Sequence, residues 1–489
     1  MNSVPNDFRR RLDRVPVQGL GLSVDVYQPD LFELVAAAET REVPPDYLEI
    51  FKATVPALES VRRRLPDLPL QYHAEGLWLT QPDWTTAYPY DDELRAVAAQ
   101  LRTLGCAWLT HECAAKQMAG YAFGTYLPPL YTEEAADVTA EHVRLAQARL
   151  DELLADGAGT SPLFLLEMPP LTYFGVGTLP IPDFFRRIVD RVACGLVLDI
   201  GHLWTVYRYT KARTGGSLVR FVGEFLEAFP LERVVQIHVA GLAPHERLGA
   251  GDDALPAWID MHGAPIPPVL FDLLEQVLAH PRVTSLRGMA LEVDTKPVPL
   301  IVEEFARFRA RFGSYRFPRE QQATRDARAT QAANAAQDRL PPLDPSVRAR
   351  TLDAYAAYAR SVTQPGAPLL PMLDPDPRGL ARYRDGYLPD ELMHWGGAIA
   401  DMFPATSRLL SARDISVETF VAFWNREPRP VTGPYDFFLL KIERFVAFVE
   451  AALPEARATV EQEARDLRAA YRTACEGVAA AAPALHGAS

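Results

Sequence analysis

The chain reads as a (β/α)8 barrel followed by a smaller all-α domain, and three observations lead there. Eight short apolar runs alternate with amphipathic helical stretches between Leu20 and about Phe312. No glycine-rich phosphate loop follows the first run: Gly19-Leu20-Gly21-Leu22 opens a strand rather than leaving one, against a doubly wound nucleotide-binding sheet. Beyond residue 346 the pattern is helical throughout.

The predicted strands are Leu20–Val26, Tyr47–Phe51, Leu70–Ala74, Ala107–Glu112, Leu163–Met168, Gly195–Gly201, Arg233–Gly241 and Met289–Asp294. Between them, Val55–Arg64, Asp91–Leu104, Ala140–Ala155, Pro182–Val192, Leu218–Ala228 and Pro267–Leu278 repeat apolar residues at helical spacing. Residues 1–312 are assigned to the barrel, with Met1–Arg14 as a loose polar start. Residues 313–346 are a polar linker with a Pro-Pro near its end. Residues 347–480 form the helical domain and 481–489 a fraying tail.

A hydrophobic fraction of 48% with 23% charged residues supports a substantial core. The net charge of −13 repels phosphate backbones and anionic lipid, so neither nucleic acid nor membrane is an expected partner. The four cysteines lack paired spacing. Without a signal-like start or a long apolar run, they read as reduced thiols of a cytoplasmic protein.

The informative pattern is where histidines and acids fall. His73, His111, Glu167, Asp199, His238 and Glu292 lie at or near the ends of six of the eight strands. Asp199-Ile-Gly-His202 turns at a strand end, and Asp260-Met-His262 has the spacing that puts two side chains on one face of an extended segment. Gly201 and Gly263 sit where the backbone must bend beside them. Strand C-termini converge at one face of such a barrel, which gathers nine potential ligands into one pocket. Imidazole and carboxylate without thiolate suit iron, zinc or manganese, and nine donors exceed what one ion takes. A lone histidine near a strand end is more often a satisfied core group than a ligand; six such strands argue otherwise. Glu112 and Asp272 are alternative carboxylates to His111 and Asp260. Asp294 shares a face with Glu292 and either supports a ligand or pairs with Lys296. His142, His245, His280 and His394 are expected in solvent, and Cys113 as a buried structural thiol.

The strings LPLQYHAEG, LTHECA, LFLLEMP, LVLDIGHLW, VVQIHVAG, WIDMHGAPIPP and ALEVD resemble, in order, the motifs of the multinuclear non-haem iron-dependent oxidative enzymes, one of which works in methanobactin biosynthesis. The resemblance covers about residues 15–310. It implies a barrel holding two or three iron ions (Fe2+/Fe3+) that uses dioxygen to oxidise a residue, commonly cysteine, in a ribosomally made precursor peptide. Carried over, Glu167 bridges two ions, with His73 and His111 on one and Asp199, His238 and Glu292 on the other. His202, Asp260 and His262 hold a third. Glu167, Asp199 and His238 are then the catalytic set. Met168 departs from the family's usual asparagine, and Pro169-Pro170 from its capping serines, which puts the hydrogen bonding at that corner in question.

The segments around Arg382-Tyr383-Arg384 and Phe403-Pro404 resemble the helical partner proteins of these enzymes, so the fused domain is expected to replace part of a separate partner. A plain helical bundle supporting oligomerisation is the simpler reading. The rival activities are a multinuclear zinc hydrolase, a sugar isomerase of the apurinic endonuclease/xylose isomerase-like group and a non-catalytic metal scaffold.

Overall fold

The computed structural model describes residues 3–51, 53–155, 161–210, 215–245, 247, 258–318, 343–374, 376–431, 433 and 435–480. Most of the expected linker and the whole expected tail lie outside the described residues.

Twelve strands are described: β1 (Gly19–Asp25), β2 (Tyr47–Phe51), β3 (Leu70–Ala74), β4 (Trp108–Glu112), β5 (Ala115–Met118), β6 (Tyr121–Leu127), β7 (Leu163–Glu167), β8 (Gly195–Asp199), β9 (Val234–Ala240), β10 (Leu242–Pro244), β11 (Trp258–Asp260) and β12 (Gly288–Glu292). Eight of them close into a parallel barrel in the order β1-β12-β9-β8-β7-β4-β3-β2, with β1 hydrogen-bonded to both β2 and β12. Both faces of such a sheet are covered, which is why its strands read as short apolar runs. The remaining four strands make two hairpins at the C-terminal end of the barrel: β5–β6 after β4, and β10–β11 after β9. Alternation in the sequence does not reveal β5–β6, whose turn at Ala119-Gly120 holds both residues at positive φ.

The opposite end is closed by the chain's own start. Helix Ser3–Leu12 buries Phe8 and Leu12 against Tyr47, Trp108, Leu163, Leu165 and Val197 inside the barrel. Arg287 fixes it by donating to the Val15 carbonyl at 3.0 Å. The expected loose start is therefore a structured plug, built from two apolar residues one helical turn apart in a polar stretch.

The C-terminal part is all helical, from Pro345–Thr363 to Arg457–Ala480. It packs on the barrel through the β5–β6 hairpin. Trp424 Nε1 donates to the Ala122 carbonyl (2.7 Å), Arg429 N to the Gly120 carbonyl (2.7 Å), and Gly124 N to the Tyr435 hydroxyl (3.2 Å). The loop after β7 is held as well, since Leu373 N reaches the Gly175 carbonyl at 2.9 Å. One continuous apolar core runs through barrel and helices. Among the described residues no helix is long and apolar enough to cross a membrane.

Candidate metal centre

In a parallel barrel, residues paired across neighbouring strands point to the same side. Glu112 pairs with Glu167, His73 with Thr110, and Asp199 with His238. These side chains face the interior. His111 pairs with Leu166 and Ala74, and so faces the outer layer.

Two groups of donor atoms result, each mutually within 4.8 Å: Glu167, Asp199, His238 and Glu292, and His73, Glu112 and Glu167. Glu167 belongs to both. Its Oε2 is 3.0 Å from His73 Nε2 and its Oε1 is 2.9 Å from His238 Nδ1. His238 Nδ1 also lies 3.3 Å from Glu292 Oε1. A third group adjoins them. Asp260 Oδ2 is 3.1 Å from His262 Nε2 and 3.4 Å from His202 Nε2, and His202 Nε2 is 3.9 Å from Asp199 Oδ1. His262 Nε2 lies 3.4 Å from Glu292 Oε2.

Of the nine sequence-predicted residues, eight are brought together and His111 is not. Its Nε2 accepts the Leu77 backbone N–H at 3.1 Å, and the ring sits edge-on to Trp78. Burial lowers its pKa to about 3, so it is a neutral core histidine. Glu112, the alternative weighed from the sequence, occupies the inward position instead. Asp272 pairs with Arg311 on the surface, which leaves Asp260 in the cluster. Asp294 contacts His262 Nδ1, while Lys296 pairs with buried Glu304 at 2.6 Å rather than with Asp294.

The local backbone explains several of these positions. Asp199 Oδ1 accepts the His202 N–H at 2.6 Å, so the strand-ending acid caps the helix Ile200–Thr210 that carries His202. Gly241 follows β9 where a Cβ would lie 2.1 Å from the Ala264 carbonyl oxygen; the turn bearing His262 rests against that bare backbone. His202 Nδ1 donates to the Met168 carbonyl at 2.7 Å. The main chain makes this contact, so methionine in place of asparagine does not disturb His202.

One acid was missed. Glu49, fully buried in the middle of β2, lies 3.0 Å from His238 Nε2. Its other oxygen accepts from Trp108 Nε1 (3.1 Å) and Thr110 Oγ1 (2.9 Å). Thr110 also reaches Gln236, whose amide donates to the Tyr47 hydroxyl, so a polar layer underlies the cluster. An acid in the otherwise apolar run Tyr47-Leu-Glu-Ile-Phe51 was the available signal.

The donor set fits cations. Among the described residues, Glu112 Oε1, Asp199 Oδ2 and Asp260 Oδ1 are buried without a hydrogen-bond partner. Burial and then Glu167 push the Glu112 carboxyl well above the usual range, and burial with Glu167 and Asp199 raises Glu292 to about 7. Burial, Asp260 and Glu167 likewise raise Asp199. Carboxylates that hinder one another's ionisation are the groups a multivalent cation brings back to the charged form.

The chain matches the family model described as "RiPP precursor modification enzyme MbnB/TglH/ChrH" over residues 18–311. Among curated proteins it is 27% identical over 279 residues to a UPF0276 protein of Anaeromyxobacter sp. (strain Fw109-5), covering 54% of this chain and 85% of that one. It is 28% identical over 285 residues to a UPF0276 protein of Caulobacter vibrioides, covering 55% and 87%. Among solved structures, endonuclease IV from Thermus thermophilus aligns over 60% of this chain and 98% of its own, with 17% identity and a TM-score of 0.36. Since the family model spans more than half of the sequence, the chain belongs to the MbnB/TglH/ChrH family of RiPP precursor modification enzymes.

Proposed function

We propose that this chain oxidises a residue, cysteine by family resemblance, in a ribosomally synthesised precursor peptide, with two or three iron ions at the barrel opening and dioxygen as co-substrate. The supporting observation is that Glu167 is shared by two donor groups, as a carboxylate bridging two cations would be. His73 and Glu112 complete one site; Asp199, His238 and Glu292 the second; His202, Asp260 and His262 the third. Iron held there would supply electrons for dioxygen and make a nearby substrate thiol more acidic.

The chain's own residues orient and shield. Asp294 fixes His262 from behind, the Met168 carbonyl fixes His202, and Glu49 braces His238. Such supports hold ligand rings in one orientation and tautomer. Trp78, after β3, packs against Tyr126 of β6 and against Tyr435, whose ring lies 5.3 Å from it. In this reading the helical region, docked on β5–β6, holds the peptide and so raises its local concentration at the opening, replacing part of a separate partner protein. A cytoplasmic setting would keep the substrate thiol reduced.

The test is anaerobic purification with Fe(II), metal analysis, and oxygen uptake with the peptide encoded beside this gene, followed by its mass. Oxygen-dependent mass change, abolished in Glu167→Ala, is expected. Zinc as the sole active metal, or full activity in Glu167→Ala, overturns the reading.

A further inference from the structure

A second set of metal-ligating side chains lies away from the barrel interior, where β10 meets the helical region. His245 directly follows β10, and Asp390, Glu391 and His394 lie on helix Leu388–His394. Donor atoms of His245, Asp390 and Glu391 are all within 4.8 Å of one another. His245 Nε2 is 3.3 Å from Asp390 Oδ2 and 4.0 Å from Glu391 Oε1. Two ligands bound to one ion at about 2.1 Å in tetrahedral geometry stand about 3.4 Å apart, so little movement separates this arrangement from a chelate. His394, one turn along the helix, holds Nδ1 3.0 Å from both the backbone oxygen and Oδ1 of Asp390, and joins as a fourth donor by giving up that backbone contact.

Burial gives the independent indication. Glu391 is 7% exposed, yet its carboxylate accepts no hydrogen bond among the described residues, and His245 lies 4.0 Å from it. His245, expected in solvent from the sequence, is 5% exposed, and its Nδ1 is buried without a hydrogen-bond partner among the described residues. Buried carboxylates are normally paired, hydrogen-bonded or bound to metal. Arg247, Lys441 and Lys116 favour the Glu391 carboxylate electrostatically, and each also has another partner. Arg247 places its guanidinium on Asp390 at 2.7–2.8 Å, as an outer partner orients a ligating carboxylate. Lys441 Nζ donates to the Trp395 and Gly397 carbonyls, and Lys116 pairs with Glu75.

We infer that His245, Asp390, Glu391 and His394 form a site for one divalent transition cation of the zinc class, distinct from the barrel centre. Imidazole with carboxylate is the donor chemistry such ions take. The site joins two parts of the chain. Its barrel side is β10, which pairs with β11 so that Leu242 stands opposite Asp260. A cation here fastens the hairpin carrying Asp260 to the helical region, and stabilises the folded chain by mass action.

The experiment uses the full-length protein with Zn2+ as probe. Metal per chain is counted after dialysis against buffered zinc, and the zinc-induced rise in melting temperature is recorded. Glu391→Gln and His245→Gln are expected to hold one zinc fewer than the parent. Glu167→Gln, altered only at the barrel, should keep the ion at this junction. Because His394 is largely at the surface, His394→Asn will fold even if the buried variants do not, and should weaken zinc binding at least tenfold. Equal zinc counts and equal affinity in the parent, Glu391→Gln and His394→Asn would leave an ion-pair contact alone and overturn the inference. Since the readout is a difference between variants, it holds whether or not the barrel centre binds iron.

Discussion

Glu49 Oε1 lies 3.0 Å from His238 Nε2, on the side of the ring opposite Glu167. An anion there favours a proton on Nε2 and leaves Nδ1 with its lone pair facing Glu167 and Glu292. Glu49→Gln removes that charge at nearly constant volume. Metal affinity at the barrel centre should fall roughly 10- to 100-fold, the usual effect of losing such a support. Competition with a chelator of known affinity measures it; unchanged retention would show that His238 is held by packing alone.

Glu112 and His111 are neighbours in sequence with opposite fates. Glu112→Gln should lower the metal count by about one ion per chain, with the fold intact. His111→Asn should leave the count unchanged and reduce thermal stability, because the Leu77 N–H loses a buried acceptor worth roughly 1–3 kcal/mol. Elemental analysis beside a melting curve separates the two, and the reverse pattern would restore His111 as a ligand.

His142, expected in solvent from the sequence, is fully buried in helix Glu133–Leu153. Its Nδ1 donates to the Leu79 carbonyl at 2.8 Å, and Arg348 Nη1 donates to its Nε2 at 3.0 Å. Burial, reinforced by Arg348, lowers its pKa to about 3. A depressed folded pKa means the unfolded chain binds the extra proton as pH falls below about 6.5. The stability due to neutral His142 is complete above that pH and is lost progressively toward pH 3. Denaturant titrations between pH 7 and 5 should show His142→Gln with a flatter pH dependence than the parent, by up to about 1.4 kcal/mol per pH unit.

The helical region depends on one backbone position of the hairpin. Gly124 has φ +74°, and a Cβ there would stand 2.5 Å from the Phe437 ring. Gly124→Ala combines a strained conformation with overpacking, and a loss of roughly 1–3 kcal/mol is expected. Limited proteolysis should then cut between barrel and helices sooner than in the parent. Equal cutting rates would mean that Trp424 and Tyr435 suffice to hold the contact.

Much of the barrel was legible because strands buried on both faces leave short apolar runs at even spacing, and the observed ends differ from those runs by a residue or two. Eight of the nine clustered positions were legible for a related reason: acids and histidines stand out at or just beyond the ends of apolar strands. The choice between His111 and Glu112 was not, since both are polar and only pairing with Glu167 settles which faces inward. Glu49 sits in mid-strand, where a charged residue in an apolar run has no partner visible in the linear order; Trp108 and Thr110 are about 60 positions away. The burial of His245 was hidden too, because its neighbours, Asp390 and Glu391, come from another part of the chain.

The plug formed by Phe8 and Leu12 makes the barrel a cul-de-sac. Whatever reaches Glu167 is thereby left to approach from the other rim, where the barrel strands end. A peptide and any smaller reactant would therefore have to share that one rim of the barrel.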